Sequence, residues 1–304
     1  MRKLYLSVLL ILVPTFLYLL LFFTHDPYGY FQRDPDPTAA SLTENMLDFC
    51  KGNYDAVILG DSRMMQFDHA HINKLNACTG HSFKNMSFDG AVAEEMPALF
   101  YWCEKQKPDC VKSVILVTGW YGLNTLLQTD RVEQISREIS NPLNYAFSLD
   151  SLRAIFTSKS PESLSPVSDA QKRQNFELHL GSMSVYLQNY EMDSSALDDL
   201  TELCRYCSDH GIEIMIVLPP WWTDFYRQLE NCGQLAAMDG YKYILSEYAP
   251  IYDLEYPDCP LSSRYEDFSD YAHFHGSTYE DFCDVLISGA LDYARFWQGG
   301  KING

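Results

Sequence analysis

Three short apolar runs constrain this chain more than any other feature. They are DAVILG at residues 55–60, VKSVILVTG at 111–119 and IEIMIVLPP at 212–220. Each is a nearly continuous apolar stretch that stops at Gly or Pro, the pattern of a strand buried on both faces. Segments with helical spacing lie between and around them: HAHINKLNACTG, AEEMPALFYWCEKQ and DSSALDDLTELCRYCSDHG. The run SFKNMSFDG adds a strand closing on Asp-Gly, a helix is expected over about 224–247, and IYDLE adds a short strand. A final helix is expected from about Ser277 to Trp297. Strands alternating with helices at this spacing predict an α/β fold, a three-layer α/β/α sandwich around a mostly parallel sheet.

The first 25 residues stand apart. Residues 4–23, LYLSVLLILVPTFLYLLLFF, carry no charge, and a helix of that length spans a hydrocarbon core of roughly 30 Å. Arg2 and Lys3 precede it, which predicts a cytoplasmic N-terminus and a domain on the other side of the membrane. No small-x-small cleavage site follows, so an uncleaved transmembrane anchor is expected rather than a signal peptide. The expected organisation is an anchor at 1–25, a juxtamembrane linker with a short helix at 26–53, and one α/β domain at 54–304. Residues 125–190 break the strand–helix rhythm and read as an insertion over the carboxyl ends of the strands, where such folds bind ligands.

With 22 basic against 41 acidic residues the net charge is −19, which excludes nucleic acid as a partner. The nine cysteines are an odd number, so at least one has no partner within the chain. Cys204 and Cys207 form a lone C-x-x-C without a second pair at zinc-binding spacing, and no metal or cofactor is expected.

Two places carry chemistry. Gly60-Asp61-Ser62-Arg63 follows the first strand directly, so the Ser62 hydroxyl stands at a carboxyl end, where helix amides point at a ligand. A serine there needs a base within hydrogen-bond reach to act as a nucleophile. Asp270-Tyr271-Ala272-His273 precedes the last helix. His273 can take the hydroxyl proton, and Asp270 can fix its tautomer. The chain also contains a second D-x-x-H at Asp68 and His71, expected to start a helix, while His275 lacks an Asp three residues before it. In a parallel sheet the two chemical sites fall on one face.

Together these residues resemble the SGNH (GDSL-type) hydrolase superfamily, which carries a GDS-type Ser after its first strand and D-x-x-H before its last helix. The resemblance implies an SGNH/flavodoxin-like fold over residues 54–297, with Ser62, Asp270 and His273 as a catalytic triad. It also implies an oxyanion hole from the amides of Ser62 and Gly90. The family's G-x-N block is represented here by Gly119-Trp120-Tyr121-Gly122-Leu123-Asn124, with Tyr121 where the Asn should stand. Asn124 swinging in, or the Tyr121 hydroxyl, is the expected replacement. Arg63 and Trp221 are candidate substrate contacts. The alternatives are an ion pair with an Asp for Arg63 and core packing for Trp221.

What the resemblance implies is a serine esterase or O-acyltransferase acting on acyl esters of cell-envelope glycans. An acylated glycan is then the substrate and a multi-span membrane acyltransferase the partner. The competing expectation is an accessory or binding module that keeps the fold without the chemistry. No G-x-x-x-x-G-K-[ST] or G-x-G-x-x-G is present to suggest nucleotide binding.

Overall fold

A computed structural model describes residues 2–31, 34–156, 169–290 and 292–303. In chain order the helices are α1 (Arg2–His25), α2 (Leu42–Lys51), α3 (His69–Thr79), α4 (Glu95–Gln106), α5 (Arg131–Ile139) and α6 (Pro142–Ala146). They continue with α7 (Leu149–Phe156), α8 (Asp169–Gln188), α9 (Ser194–Asp209), α10 (Thr223–Asn231), α11 (Gly240–Ser246) and α12 (Gly276–Ser288). The strands are β1 (Ala56–Leu59), β2 (Phe83–Asn85), β3 (Ser113–Val117), β4 (Glu213–Leu218), β5 (Ile251–Asp253), β6 (Arg295–Trp297) and β7 (Ile302–Asn303).

These strands form one mixed sheet in the order β2-β1-β3-β4-β5-β6-β7, parallel through β5 and antiparallel beyond it. Successive strand residues point to opposite faces. Val57, Leu59, Val114, Leu116, Ile216 and Leu218 accordingly join one apolar cluster with α2, α4, α9, α10 and α11. Ala56, Ile58, Ile115, Val117 and Val217 join a second cluster with α3 and α12. Both faces are therefore covered, which is why the strands read as continuous apolar runs. Crossovers between parallel neighbours place every β-to-helix loop at the same edge of the sheet.

Local signals explain the helix ends. Ser41 caps α2 in a reciprocal capping box with Glu44, Asp68 caps α3, and Asp193 caps α9. Gly80 and Gly289 end α3 and α12 in the left-handed conformation.

Two boundary expectations are corrected. The last helix stops at Ser288 rather than Trp297, because Gly289 turns the chain (φ 65°) and Arg295–Trp297 pairs antiparallel to β5. The Trp297 indole donates to Asp253 at 3.0 Å, anchoring that added strand. The helix expected over 224–247 is broken at Gly233 (φ 68°) into α10 and α11.

The segment expected as a linker with a short helix is stitched to the domain. Asn85 donates its amide to the Pro37 carbonyl at 2.8 Å, buried Lys84 donates to Asn45 Oδ1 at 2.8 Å, and Met46 and Phe49 are fully buried. Ahead of it, α1 is a single helix whose Ser7–His25 stretch is long and apolar enough to cross a membrane. All nine cysteines are unpaired thiols; burial pushes those of Cys204 and Cys207 up to about 12, far from the reactive thiolate range.

Candidate active site

Ser62 owes its position to Gly60. A Cβ at Gly60 would lie 2.9 Å from Ser87 Oγ and 3.1 Å from Val117 Cβ, so only glycine lets β1 end this close to its neighbours. Asp61 then turns the chain by accepting the Arg63 amide at 2.9 Å, and Ser62 opens a one-turn 3-10 helix, Ser62–Met64.

The loop after β5 brings the second half. Asp270 Oδ1 accepts the amides of Ala272 and His273, both at 2.8 Å, which folds the four residues into a tight turn. Its other oxygen, Oδ2, accepts the Nδ1 proton of His273 at 2.7 Å, leaving Nε2 as acceptor, and Nε2 stands 2.7 Å from Ser62 Oγ. The hydroxyl, imidazole and carboxylate thus form one continuous chain of hydrogen bonds across 211 residues of sequence. Burial opposes charge on His273, yet Asp270, with help from Asp61, raises its pKa above the usual histidine value. His275, by contrast, is exposed at the start of α12.

Ser62 and His273 line a cleft of about 280 Å³ at the carboxyl ends of the strands. Gly90 lines it too, in a left-handed turn (φ 63°) held by Arg131, whose guanidinium donates to the Asp89 and Gly90 carbonyls at 3.1 and 2.7 Å. Neither the Ser62 amide nor the Gly90 amide donates to any described residue. The apolar wall is made by Val92, Ala93, Met96, Leu127 and Met183. The last two belong to the segment 125–190, which therefore borders the cleft. Residues 158–168 of its Ser/Pro-rich stretch lie outside the described residues.

The two candidate oxyanion side chains separate. Tyr121 lines the cleft, and burial pushes its hydroxyl up to about 12, so it stays protonated and able to donate. Asn124 does not line the cleft: its Oδ1 accepts the Leu126 amide at 3.1 Å and its Nδ2 donates to the Tyr186 carbonyl at 3.4 Å. The carboxamide is spent on capping the turn Thr125–Leu127.

Arg63 and Trp221 both line the cleft but are held from behind. Arg63 is buried and grips Asp61 through Nε at 3.0 Å and Nη2 at 2.7 Å, and its guanidinium lies 5.0 Å from the Trp221 ring centre. The Trp221 indole donates to Glu255 at 2.8 Å and stacks on Phe225 at 4.2 Å. Structural pairing therefore engages both residues expected to touch substrate.

Glu255 was not singled out by sequence reasoning. Wholly buried, it accepts from the Trp120 amide at 3.0 Å, from the Trp221 indole and from the Tyr241 hydroxyl. Burial raises its pKa, against the pull of Lys242. A Cβ on Gly119 would lie 2.7 Å from its Oε1, which explains that glycine. The available signal was position: Glu255 ends IYDLE, a carboxylate at a strand's carboxyl end. No family model matches the sequence, and a search of curated proteins returns no match.

Proposed function

We propose that this chain is a membrane-anchored serine esterase or O-acyltransferase, an α/β/α sandwich of the SGNH type acting on acyl esters of cell-envelope glycans. The observation that carries the reading is the Ser62–His273–Asp270 chain of 2.7 Å hydrogen bonds opening into a cleft beside two unengaged amides. Ser62 Oγ attacks the ester carbonyl as His273 Nε2 takes its proton. The Ser62 and Gly90 amides, with the Tyr121 hydroxyl, receive the developing oxyanion, each such donor being worth about 3–4 kcal/mol. His273 then gives the proton to the departing alcohol, leaving an acyl ester on Ser62. Water or a glycan hydroxyl attacks that ester, returning a proton through His273 to Ser62. The apolar wall suits the acyl chain. Arg2 and Lys3 ahead of the apolar helix support a domain outside the cytoplasm, with a multi-span acyltransferase as the supplier of acyl groups in this reading.

A second reading, an accessory protein without catalysis, draws on one observation: the only Asn of the 119–124 block is turned away from the cleft. A fluorophosphonate probe separates the two. On the full chain in detergent, wild type is expected to label and Ser62→Ala not to. Tyr121→Phe is expected to slow labelling by about 10²-fold if its hydroxyl is the third donor. Folded wild-type protein that fails to label would sink the enzyme reading.

A further inference from the structure

The outer end of α1 is packed into the domain. Phe22 is fully buried, its ring 5.1 Å from that of Tyr145 on α6. The Tyr18 ring lies 5.5 Å from Phe147, and the Tyr18 hydroxyl donates to the Ala146 carbonyl. Above these, Tyr30 stacks on Tyr145 at 4.7 Å and the Tyr28 amide donates to the Tyr145 hydroxyl at 3.1 Å.

These contacts set a depth. Tyr18 lies seven residues before His25, the end of the apolar stretch, so it sits about 10 Å inward along the axis at 1.5 Å per residue. A bilayer that covers Ser7–His25 therefore reaches the level of Ala146 and Phe147. At that level the domain presents apolar side chains outward: Leu143 is 63 % exposed, Phe147 51 % and Leu149 71 %. Arg137, Glu138 and Asn144 share a shallow groove with Leu143 and Phe147, which sets charge beside the apolar tip. Aromatic and aliphatic tips with charged side chains beside them are the chemistry of an element lying in the membrane interface.

We propose that α6 and the α6–α7 corner lie in the bilayer's outer boundary beside α1, with Leu143, Phe147 and Leu149 among phospholipid acyl chains. The domain is then seated on the membrane at two points rather than swinging from a stalk. The seat connects to the cleft through α5, which runs into α6 and begins at Arg131, the residue holding the Gly90 turn. The inference rests on α1 spanning the membrane and is independent of the esterase reading.

Photo-cross-linking tests it. The full chain, carrying p-benzoylphenylalanine in place of Leu143, Phe147 or Leu149, is reconstituted in phosphatidylethanolamine–phosphatidylglycerol vesicles and irradiated. Leu12→p-benzoylphenylalanine is the positive control within α1, and Tyr243→p-benzoylphenylalanine, exposed on α11, the negative one. Lipid adducts are expected at 143, 147, 149 and 12, and none at 243. Adducts at 12 alone would overturn the proposal, and loss at 12 as well would remove its premise that α1 spans. Adducts to another protein instead of lipid, when intact cells are irradiated, would also overturn it.

Discussion

The molecule makes the same four-residue turn twice. In Asp68–His71 the carboxylate accepts the amides of Ala70 and His71 at 2.9 and 3.1 Å and the His71 Nδ1 at 2.7 Å. In Asp270–His273 the amides lie at 2.8 Å and Nδ1 at 2.7 Å. What differs is the atom beyond Nε2. For His71 it is a carboxylate, Glu280, 3.6 Å away; for His273 it is the Ser62 hydroxyl at 2.7 Å. A D-x-x-H therefore encodes an oriented imidazole, and only the order of strands in the sheet decides whether that imidazole has a proton to take. The 68–71 turn starts α3, which packs with α12 on one face of the sheet, whereas the 270–273 turn opens beside the carboxyl end of β1.

The largest effect expected from this contrast comes from the two imidazoles. His273→Ala is expected to slow fluorophosphonate labelling of Ser62 by about 10⁴-fold or more, the cost of losing a base in a coupled triad. His71→Ala is expected to leave the rate within about twofold, because its imidazole faces Glu280 and lies away from the cleft. Equal losses in the two variants would mean that the turns are not functionally distinct.

Asp270→Asn sharpens the same contrast through pH. A protonated His273 cannot accept the Ser62 proton, so labelling should rise with pH as His273 loses its charge. Because Asp270 and Asp61 hold its pKa above the ordinary 6.5 despite burial, the midpoint of that rise should lie above 6.5. In Asp270→Asn burial is no longer opposed by the adjacent carboxylate. The midpoint should move down while the plateau falls by about 10³–10⁴-fold, since the imidazole also loses its tautomer. A plateau loss with an unmoved midpoint would place the titrating group elsewhere.

Much of this was legible in the residues, for a physical reason. Strands β1, β3 and β4 announce themselves because a sheet covered on both faces needs unbroken apolar runs. The turns at 60–63 and 270–273 are visible because short polar residues bond their own backbone. What escaped reading depends on partners far away in sequence. Asn124 looked free to reach the cleft until the Tyr186 carbonyl claimed it from α8. Arg295–Trp297 reads in sequence as the end of the last helix and becomes a strand through its pairing with β5 and the Trp297–Asp253 bond. Glu255 is ordinary in sequence and acquires meaning only when Trp120, Trp221 and Tyr241 converge on it.

The smallest effect belongs to the carboxylate of the silent turn. Asp68 is the N-cap of α3, and its removal frees the Ala70 and His71 amides at the helix start. Its side chain is 63 % exposed, so water can replace much of what is lost. Asp68→Ala should lower the free energy of unfolding by about 1 kcal/mol, the usual value of such a cap, and leave the labelling rate unchanged. Asp68→Asn should recover nearly all of that stability, because an amide oxygen caps as well as a carboxylate does. The recovery is the informative part. At 270 the same Asp-to-Asn exchange keeps an acceptor for the turn amides yet removes the charge His273 needs, so it should spare the turn and cost the chemistry. Denaturation midpoints of the full chain in detergent, read beside labelling rates, check both halves. A large labelling loss in Asp68→Asn would show that charge at the first turn reaches the site, and the two turns would no longer divide into one that caps and one that catalyses.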